Sequence, residues 1–452
     1  GIALAQVPTA IAPLRPQPTD SVGPVVAAMK SSRAIDLVIC LDVSGSMSGL
    51  INAARQNLWS IVNDMATLQP QPELRVALLT YGSPVYGADT GFVSIQTELT
   101  TDLDLVSQKL FALKTNGGKE YVARVVKRSL DDLKWSSDSH ALKLIFVCGN
   151  EAATQDPEFN AMQMASTAIG KGVLVNTIYC GSQQKPEADG WRQVARMADG
   201  KFAAIEHNQV VVIETPFDKQ LLDLSAQLNK TYLTFGRNGL RWSQNQIAQD
   251  RNALSLNSAA AAERCVTKGS SLYYNPTFDL CDAIKNPEFK LASVKKELLP
   301  KDLQVLTIVQ LKAHVELTSK KRQGIQKKVA EMGRKRDAYV LAERKKKAGA
   351  GEKMFEEAIL ETVRAQAASR GFARRPQPKL ETPKLETPIV KPPVVPQTTP
   401  AKQQQKAPKQ KAPKQKAKGK DLKPTAMQMR FQKVLKHAAK EHQGNDRRFG
   451  LQ

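Results

Sequence analysis

The sequence has few of the residues and runs that common enzyme and membrane signatures require. It contains only 5 histidines, aromatic residues make up 6% of it, and no apolar run reaches the length of about 18 residues that crosses a membrane. The patterns HExxH, GxSxG and the Walker loop are absent, as is a GxGxxG turn between a strand and a helix. These absences argue against a zinc protease, a serine hydrolase and a nucleotide-binding loop.

Cysteine is also scarce, and its spacing argues against a zinc site. None of the 5 cysteines forms a CxxC pair. Cys40, Cys148 and Cys180 fall in apolar runs typical of buried strands, where a thiol behaves as a small hydrophobic group. Cys265 and Cys281 are able to pair with each other, but nothing in the sequence requires it.

Basic residues are abundant but unevenly distributed. The net charge is +23, yet residues 34–235 carry 17 basic and 22 acidic residues, whereas residues 373–452 carry 20 basic and 5 acidic residues. This distribution is typical of a mildly acidic folded module with a cationic C-terminal segment, not of a basic globular enzyme. The C-terminal segment has no aromatic residue before Phe431. It therefore lacks stacking platforms for single strands, and we expect no specific nucleic-acid recognition.

Apolar runs alternate with helical patterns from residue 34 to residue 235. This alternation predicts a doubly wound α/β domain with a mostly parallel, six-stranded sheet that is buried on both faces. Strands are predicted at Ile35–Leu41, Arg75–Tyr81, Phe92–Leu99, Leu142–Cys148, Val173–Cys180 and Phe202–Glu206. Helices are predicted at Leu50–Leu68, Leu103–Leu113, Tyr121–Leu133, Pro157–Lys171, Trp191–Asp199 and Pro216–Thr231. Because Phe92–Leu99 alternates apolar and polar residues, we expect it to be an antiparallel edge strand.

The remaining chain divides by composition into further segments. Residues 236–300 are interpreted as a mixed, mainly helical extension packed on the main domain. Residues 301–372 form a helical, coiled-coil-like arm, with a break at Ala348–Gly351. Residues 373–425 form a Pro/Lys/Gln-rich linker that stays disordered, and residues 426–452 form a short basic amphipathic tail.

The first residues, 1–33, are interpreted as a leader. Ala3-Leu4-Ala5 has the small-x-small form of a signal-peptidase site, which predicts the remnant of a signal peptide. We therefore expect an exported protein, periplasmic or extracellular, with a cytoplasmic location as the alternative.

Oxygen donors follow the first predicted strand, in the sequence Asp42-Val43-Ser44-Gly45-Ser46. Ligands of doubly wound sheets bind outside the carboxyl ends of the strands, and Asp-x-Ser-x-Ser directs three oxygens at one point. Such donors suit a hard cation such as magnesium, with manganese or calcium as alternatives, and a partner's carboxylate would fill an open coordination position. In the other interpretation, these side chains only bond the loop backbone and cap the next helix.

The motif DVSGSM after the run LVICL, followed by the other strands in order, resembles the von Willebrand factor A (VWA) family over about 200 of the 452 residues. In that family Asp-x-Ser-x-Ser forms a metal-ion-dependent adhesion site (MIDAS). The resemblance implies a non-enzymatic adhesion or scaffold module that binds an acidic protein ligand through a divalent cation. The C-terminal half also resembles that of some bacterial proteins with one such domain and a helical, basic extension, and this second resemblance implies no activity.

Two other loops of the family site differ in this chain. The family has a threonine after a Gly-Gly pair in the second loop, where this chain has Lys119. It also has an aspartate after the fourth strand, where this chain has Gly149 or Asn150. Thr115, Glu120, Asn150 and Glu151 are the candidate additional donors, whereas Lys119 would repel a cation.

Two alternative functions fit the same sequence. In the first, the chain is a polyanion-associated scaffold that acts through its lysine-rich tail, with a purely structural α/β domain that lacks metal. In the second, it is an accessory subunit of a larger machine.

Overall fold

The computed structural model describes residues 33–205, 211–347 and 355–375. Each of the six strands predicted from the apolar runs is present, and two short strands accompany them. In chain order the strands are Ala34–Asp42 (β1), Leu68–Gln69 (β2), Glu73–Tyr81 (β3), Val93–Thr100 (β4), Leu142–Gly149 (β5), Val173–Tyr179 (β6), Phe202–Ala204 (β7) and Ala373–Arg374 (β8).

The main sheet has the strand order β4-β3-β1-β5-β6-β7. β1 lies in the middle and pairs in parallel with β3 on one side and with β5 on the other. β4 pairs antiparallel with β3 at the edge, as its alternating sequence predicted. The predicted fold class, a doubly wound and mostly parallel six-stranded sheet with one antiparallel edge strand, is therefore confirmed.

Helices cover both faces of this sheet because successive side chains of a strand point to opposite faces. In β1, Leu37 and Ile39 join one apolar core, whereas Val38 and Cys40 join the other. The helices before residue 235 are Ser48–Met65 (α1), Leu103–Ala112 (α2), Val122–Asp132 (α3), Ala161–Gly170 (α4), Glu187–Met197 (α5) and Asp218–Asn229 (α6). α1 and α2 pack on the first face, and α3, α4 and α5 pack on the second.

The chain after residue 235 is mainly helical. Its helices are Gly239–Leu256 (α7), Ser258–Gly269 (α8), Leu280–Ala283 (α9), Lys301–Gln304 (α10), Ile308–Lys347 (α11) and Phe355–Ser369 (α12). α7 and α8 lie against α2 and α1, where Ser107 donates to Gln249 at 2.9 Å and Thr267 donates to Asn63 at 2.7 Å. Polar contacts thus help to hold this extension on the α/β unit.

The last helix of the segment predicted as a helical arm, residues 301–372, packs on the α/β unit. Phe355, Ile359 and Val363 form the predicted apolar stripe of α12, but this stripe is buried in the same core as α1. Since the stripe needs an apolar surface and the sheet face beside α1 supplies one, α12 packs onto the α/β unit and does not project from it.

The segment predicted as a disordered linker, from residue 373, begins with three ordered residues. Ala373 and Arg374 form β8, which pairs antiparallel with β2, and the Arg375 amide donates to the Thr67 carbonyl at 2.8 Å. The buried ring of Phe372 anchors this segment, and the proline-rich composition begins only at residue 376.

Several predictions lie outside the described residues: the leader up to residue 32, the helix break at Ala348–Gly351, and the linker and tail from residue 376. Within the described part, all five cysteines are buried free thiols, as predicted for Cys40, Cys148 and Cys180. No helix in that part is both long enough and apolar enough to span a bilayer.

Candidate metal site

The candidate site lies where the central strands of the sheet end. Asp42 is the last residue of β1, Gly82 directly follows β3, and Asn150 directly follows β5. Because β1 lies between β3 and β5, the loops after these strands meet at the point where the strand order reverses, which is where doubly wound sheets bind ligands.

Asp42 and the two serines form the first part of the site. Asp42 is fully buried, and its Oδ1 accepts a hydrogen bond from the Ser44 amide at 2.7 Å. The Ser44 and Ser46 hydroxyl oxygens lie 3.3 Å apart, and Ser44 makes no side-chain bond that caps the following turn. Bonding to the loop backbone therefore accounts for only one of the Asp42 oxygens.

The second loop is tied to the first by backbone hydrogen bonds. The Asn116 amide donates to the Val43 carbonyl at 2.8 Å, and the Gly45 amide donates to the Gly117 carbonyl at 3.2 Å. The Lys119 amide donates to the Gly82 carbonyl at 3.1 Å, and these two residues form an isolated antiparallel bridge. These bonds fix the second loop beside the first loop and beside Gly82, close to Asp42.

Lys119 and Glu120 point in different directions from this loop. Lys119 is exposed, whereas the Glu120 Oε2 atom is buried without a hydrogen-bond partner. A Cβ atom added to Gly82 would lie 2.6 Å from Asp42 Oδ1 and 3.3 Å from Glu120 Cγ. The side chains of Asp42 and Glu120 therefore converge over the same glycine.

The third loop approaches from the end of β5. The Ser46 hydroxyl lies 3.5 Å from Asn150 Oδ1, and Asn150 Nδ2 lies 3.5 Å from Glu151 Oε1. Both distances are at the outer limit for a hydrogen bond. Trp191 Nε1 donates to the Glu151 carbonyl at 2.8 Å, so the backbone of this loop is fixed, while the Glu151 side chain is exposed.

Thr115 is the candidate donor that the structure does not bring to the others. It lines a neighbouring crevice of about 500 Å³ together with Ser83, Tyr86 and Asn116. Within the described residues it makes no side-chain hydrogen bond to the first loop. The five other candidates beyond Asp42 lie at the site itself: Ser44, Ser46, Glu120, Asn150 and Glu151.

Gly82, Gly149 and Tyr81 also shape the site, and of these the sequence analysis named only Gly149 as part of it. Gly82 has φ +93°, a conformation that favours glycine, and leaves room for Asp42. A Cβ at Gly149 would lie 3.3 Å from Asp42 Oδ2 and 2.5 Å from the Tyr81 hydroxyl, which donates to the Cys148 carbonyl. The signal available in the sequence was Tyr-Gly at the end of the second buried strand.

Negative charge accumulates in these loops. Burial is the main cause that raises the pKa of Asp42 to about 7, and the negative charge of Glu120 raises it further. Burial also raises the pKa of Glu120, with the charge of Glu151 as the second cause. Among the described residues, none of the groups that lower these two pKa values is a basic side chain.

The donor set fits a hard cation. Asp42 Oδ2 and Glu120 Oε2 are both buried without a hydrogen-bond partner, a costly state for carboxylate oxygens unless a cation compensates it. In the described part of the chain, no group of three or more His, Cys, Asp or Glu side chains is compact enough to hold a metal ion. An ion held here would therefore need the serine hydroxyls and water as well as the two carboxylates.

No family profile matches the chain, and no curated protein matches it. Among solved structures, a structure of proximal thread matrix protein 1 from the mussel byssus, with a zinc-occupied MIDAS motif, is 12% identical; the match covers 40% of this chain and 43% of that one, with a TM-score of 0.30. The pilus adhesin SpaC from Lactobacillus rhamnosus GG is 13% identical over 40% of this chain and 29% of its own length, with a TM-score of 0.29. The match thus spans less than half of these two proteins.

The VWA domain of SpRpn10 is also similar, with 15% identity, a TM-score of 0.30 and a match that covers 40% of this chain and 100% of that domain. Similarity at this level concerns the fold alone. The strand order and the antiparallel edge strand are those of the doubly wound α/β fold predicted from the sequence.

Proposed function

We propose that the α/β unit is a non-enzymatic, cation-dependent protein-interaction module. Asp42, Ser44 and Ser46 hold the ion, Glu120 is an additional donor, and Asn150 and Glu151 lie at the rim. The observation that supports this proposal best is the pair of buried carboxylate oxygens, on Asp42 and Glu120, that converge over Gly82 without hydrogen-bond partners. A divalent ion supplies the positive charge that these two buried oxygens lack.

Magnesium is the first candidate for the ion, with manganese and calcium as alternatives. All the donors are oxygens, which is the ligand type that these hard cations prefer. Neither Ser44 nor Ser46 hydrogen-bonds to a histidine among the described residues, and a serine without such a base is a poor nucleophile. These contacts support a binding role and not a hydrolytic one.

Isothermal titration tests the ion. Magnesium, manganese and calcium chloride are titrated into the wild-type protein and into Asp42→Ala, and we expect saturable heat for at least one ion with the wild type only. Asp223→Ala is the matched control, because Asp223 is exposed and pairs with the exposed Lys219. Equal heats for Asp42→Ala and the wild type would remove the ion from the account.

A polyanion-binding role of the C-terminal segment is the second candidate, and the 20 basic residues against 5 acidic ones in residues 373–452 favour it. A stop codon after Arg375 removes the lysine-rich sequence and keeps β8, which pairs with β2. We expect this truncation to lower the salt concentration at which the protein elutes from heparin. Unchanged elution would exclude the C-terminal segment as the polyanion site.

A further inference from the structure

Glu120 lies close to the position where the VWA resemblance expects a threonine, and the backbone turns its side chain inward. The bridge between Gly82 and Lys119 fixes the second loop at that point, and the Tyr121 amide, which donates to the Lys119 carbonyl at 3.1 Å, turns the chain at Glu120. Lys119 is exposed, whereas Glu120 is half-buried and its Oε2 atom is buried. Gln155 Nε2 donates to the Glu120 carbonyl at 3.0 Å and holds this backbone from the other side.

The Glu120 carboxylate reaches the same space as Asp42. Both side chains flank Gly82, where an added Cβ would lie 2.6 Å from Asp42 Oδ1 and 3.3 Å from Glu120 Cγ. Asp42 Oδ2 and Glu120 Oε2 are both buried without a hydrogen-bond partner. The charge of Glu120 acting on Asp42 is a further sign that these groups are close.

A carboxylate in this position changes what a bound ion can accept. A threonine would contribute a neutral oxygen and leave the positive charge of the ion to attract a partner's carboxylate. With Glu120, the chain itself supplies a second carboxylate beside Asp42, and the exposed Glu151 adds a third negative group at the rim. A partner's carboxylate would meet an ion that is already neutralised and two like charges beside it.

We infer that Glu120 is an internal ligand whose carboxylate, beside that of Asp42, makes the site unfavourable for a partner's acidic side chain. This inference rests on the proposed function, and it replaces the acidic partner expected from the sequence. A partner that docks at these loops brings amide, hydroxyl or basic side chains, which are compatible with the negative rim formed by Glu151.

The test uses Mn²⁺ as the probe and acetate as the mimic of a partner's carboxylate. Mn²⁺ affinity is measured by titration, and water-proton relaxation reports whether acetate displaces water from the bound ion, with chloride at matched ionic strength as the control. The proteins are the wild type, Glu120→Thr and the matched control Asp223→Ala, which removes an exposed carboxylate on α6. Circular dichroism establishes that each variant is folded, and Glu120→Gln replaces Glu120→Thr if the latter is not.

For the wild type and Asp223→Ala, we expect Mn²⁺ binding with relaxation that acetate does not change. For Glu120→Thr we expect Mn²⁺ binding about 10-fold weaker or more, a loss typical of a removed metal-site contact, and a fall in relaxation when acetate is added. For Glu120→Gln the weaker Mn²⁺ binding is the expected sign.

Two results would overturn the inference while the proposed function stands: acetate displaces water from Mn²⁺ in the wild type, or the Glu120 variants bind Mn²⁺ as tightly as the wild type. A wild-type protein that binds no Mn²⁺, Mg²⁺ or Ca²⁺ would overturn the proposed function, and the inference with it.

Discussion

Asp42 is the residue that links the fold to the site. As the last residue of β1 it is fully buried, and one carboxylate oxygen is held by the Ser44 amide while the other has no partner. A buried carboxylate with an unpaired oxygen is destabilising unless it is protonated or compensated by a cation. Its protonation therefore depends on whether an ion is bound.

The metal-free protein should lose stability as the pH rises because of this residue. The pKa of Asp42 is raised from an ordinary 3.8 to about 7, mainly by burial and then by Glu120. A carboxyl whose pKa is higher in the folded chain binds its proton more tightly there, so its stabilising contribution is complete below about pH 4 and is lost as the pH rises to about 7. The stability curve should flatten above that pH.

Asp42→Asn tests this dependence, because asparagine keeps an acceptor for the Ser44 amide and does not ionise. In urea unfolding with a chelator present, the variant should match the wild type near pH 4 and exceed its free energy of unfolding by up to about 4 kcal/mol at pH 8. A stability difference that does not change with pH would contradict the explanation.

At the scale of elements, the site depends on how closely the loops after the strands approach Asp42. The loop after β3 begins at Gly82, which has φ +93° and faces Asp42 Oδ1. The loop after β1 contains Gly45, where an added Cβ would meet nothing within 4 Å. The two glycines lie in adjacent loops but differ in how much space the fold leaves them.

Gly82→Ala should therefore lower the free energy of unfolding by about 1–3 kcal/mol, because the conformation is strained for alanine and its Cβ would displace Asp42. Gly45→Ala, the matched control, should change it by less than about 0.5 kcal/mol. Chemical denaturation measures the free energy of unfolding of both variants. Equal losses would contradict the difference in space described for these two loops.

The burial of α12 also has a measurable consequence. Ile359 is fully buried in the core shared with α1, so Ile359→Ala should cost about 2–5 kcal/mol of unfolding free energy. Leu341→Ala is the control, because Leu341 is 56% exposed on α11, and surface changes of this kind cost about 0.5 kcal/mol or less. If both variants unfold like the wild type, α12 does not stabilise the α/β unit.

The strands were predictable because their apolar runs need burial on both faces, and the first-loop residues because their spacing directs oxygens to one point. Two features were not predictable. The stripe Phe355, Ile359 and Val363 shows that one face of a helix is buried, but not which element covers it. The inward direction of Glu120, and not of Lys119, depends on a bridge to Gly82 that lies far away in the sequence.

At the scale of the whole molecule, a buried ion network joins the extension to the α/β unit. The Arg264 side chain on α8 is 1% exposed and lies 2.6 Å from Asp104 on α2 and 3.1 Å from Asp250 on α7. Its guanidinium also stacks on Trp59 of α1, 4.4 Å from the ring centroid. These contacts connect the extension to two helices that cover the sheet, so we expect the described chain to unfold as one unit.

Arg264→Met should destabilise the protein by about 3–5 kcal/mol, because it leaves the Asp104 carboxylate buried without its cation, whereas Asp250 keeps Lys268 at 2.6 Å. Lys219→Ala removes an exposed ion pair with Asp223 and should cost about 0.5 kcal/mol or less. Thermal unfolding followed by circular dichroism compares the two. A separate early transition in Arg264→Met, with an unchanged main transition, would mean that the extension is not coupled to the α/β unit.

Anomalous diffraction from a manganese-soaked crystal tests the central claim most directly. We expect an anomalous peak beside the carboxylates of Asp42 and Glu120 and the hydroxyls of Ser44 and Ser46, and no such peak in crystals of Asp42→Ala soaked in the same way. No anomalous peak at this position in the wild type, with the ammonium of Lys119 lying between these carboxylates, would contradict a cation-dependent module and leave only the doubly wound α/β fold.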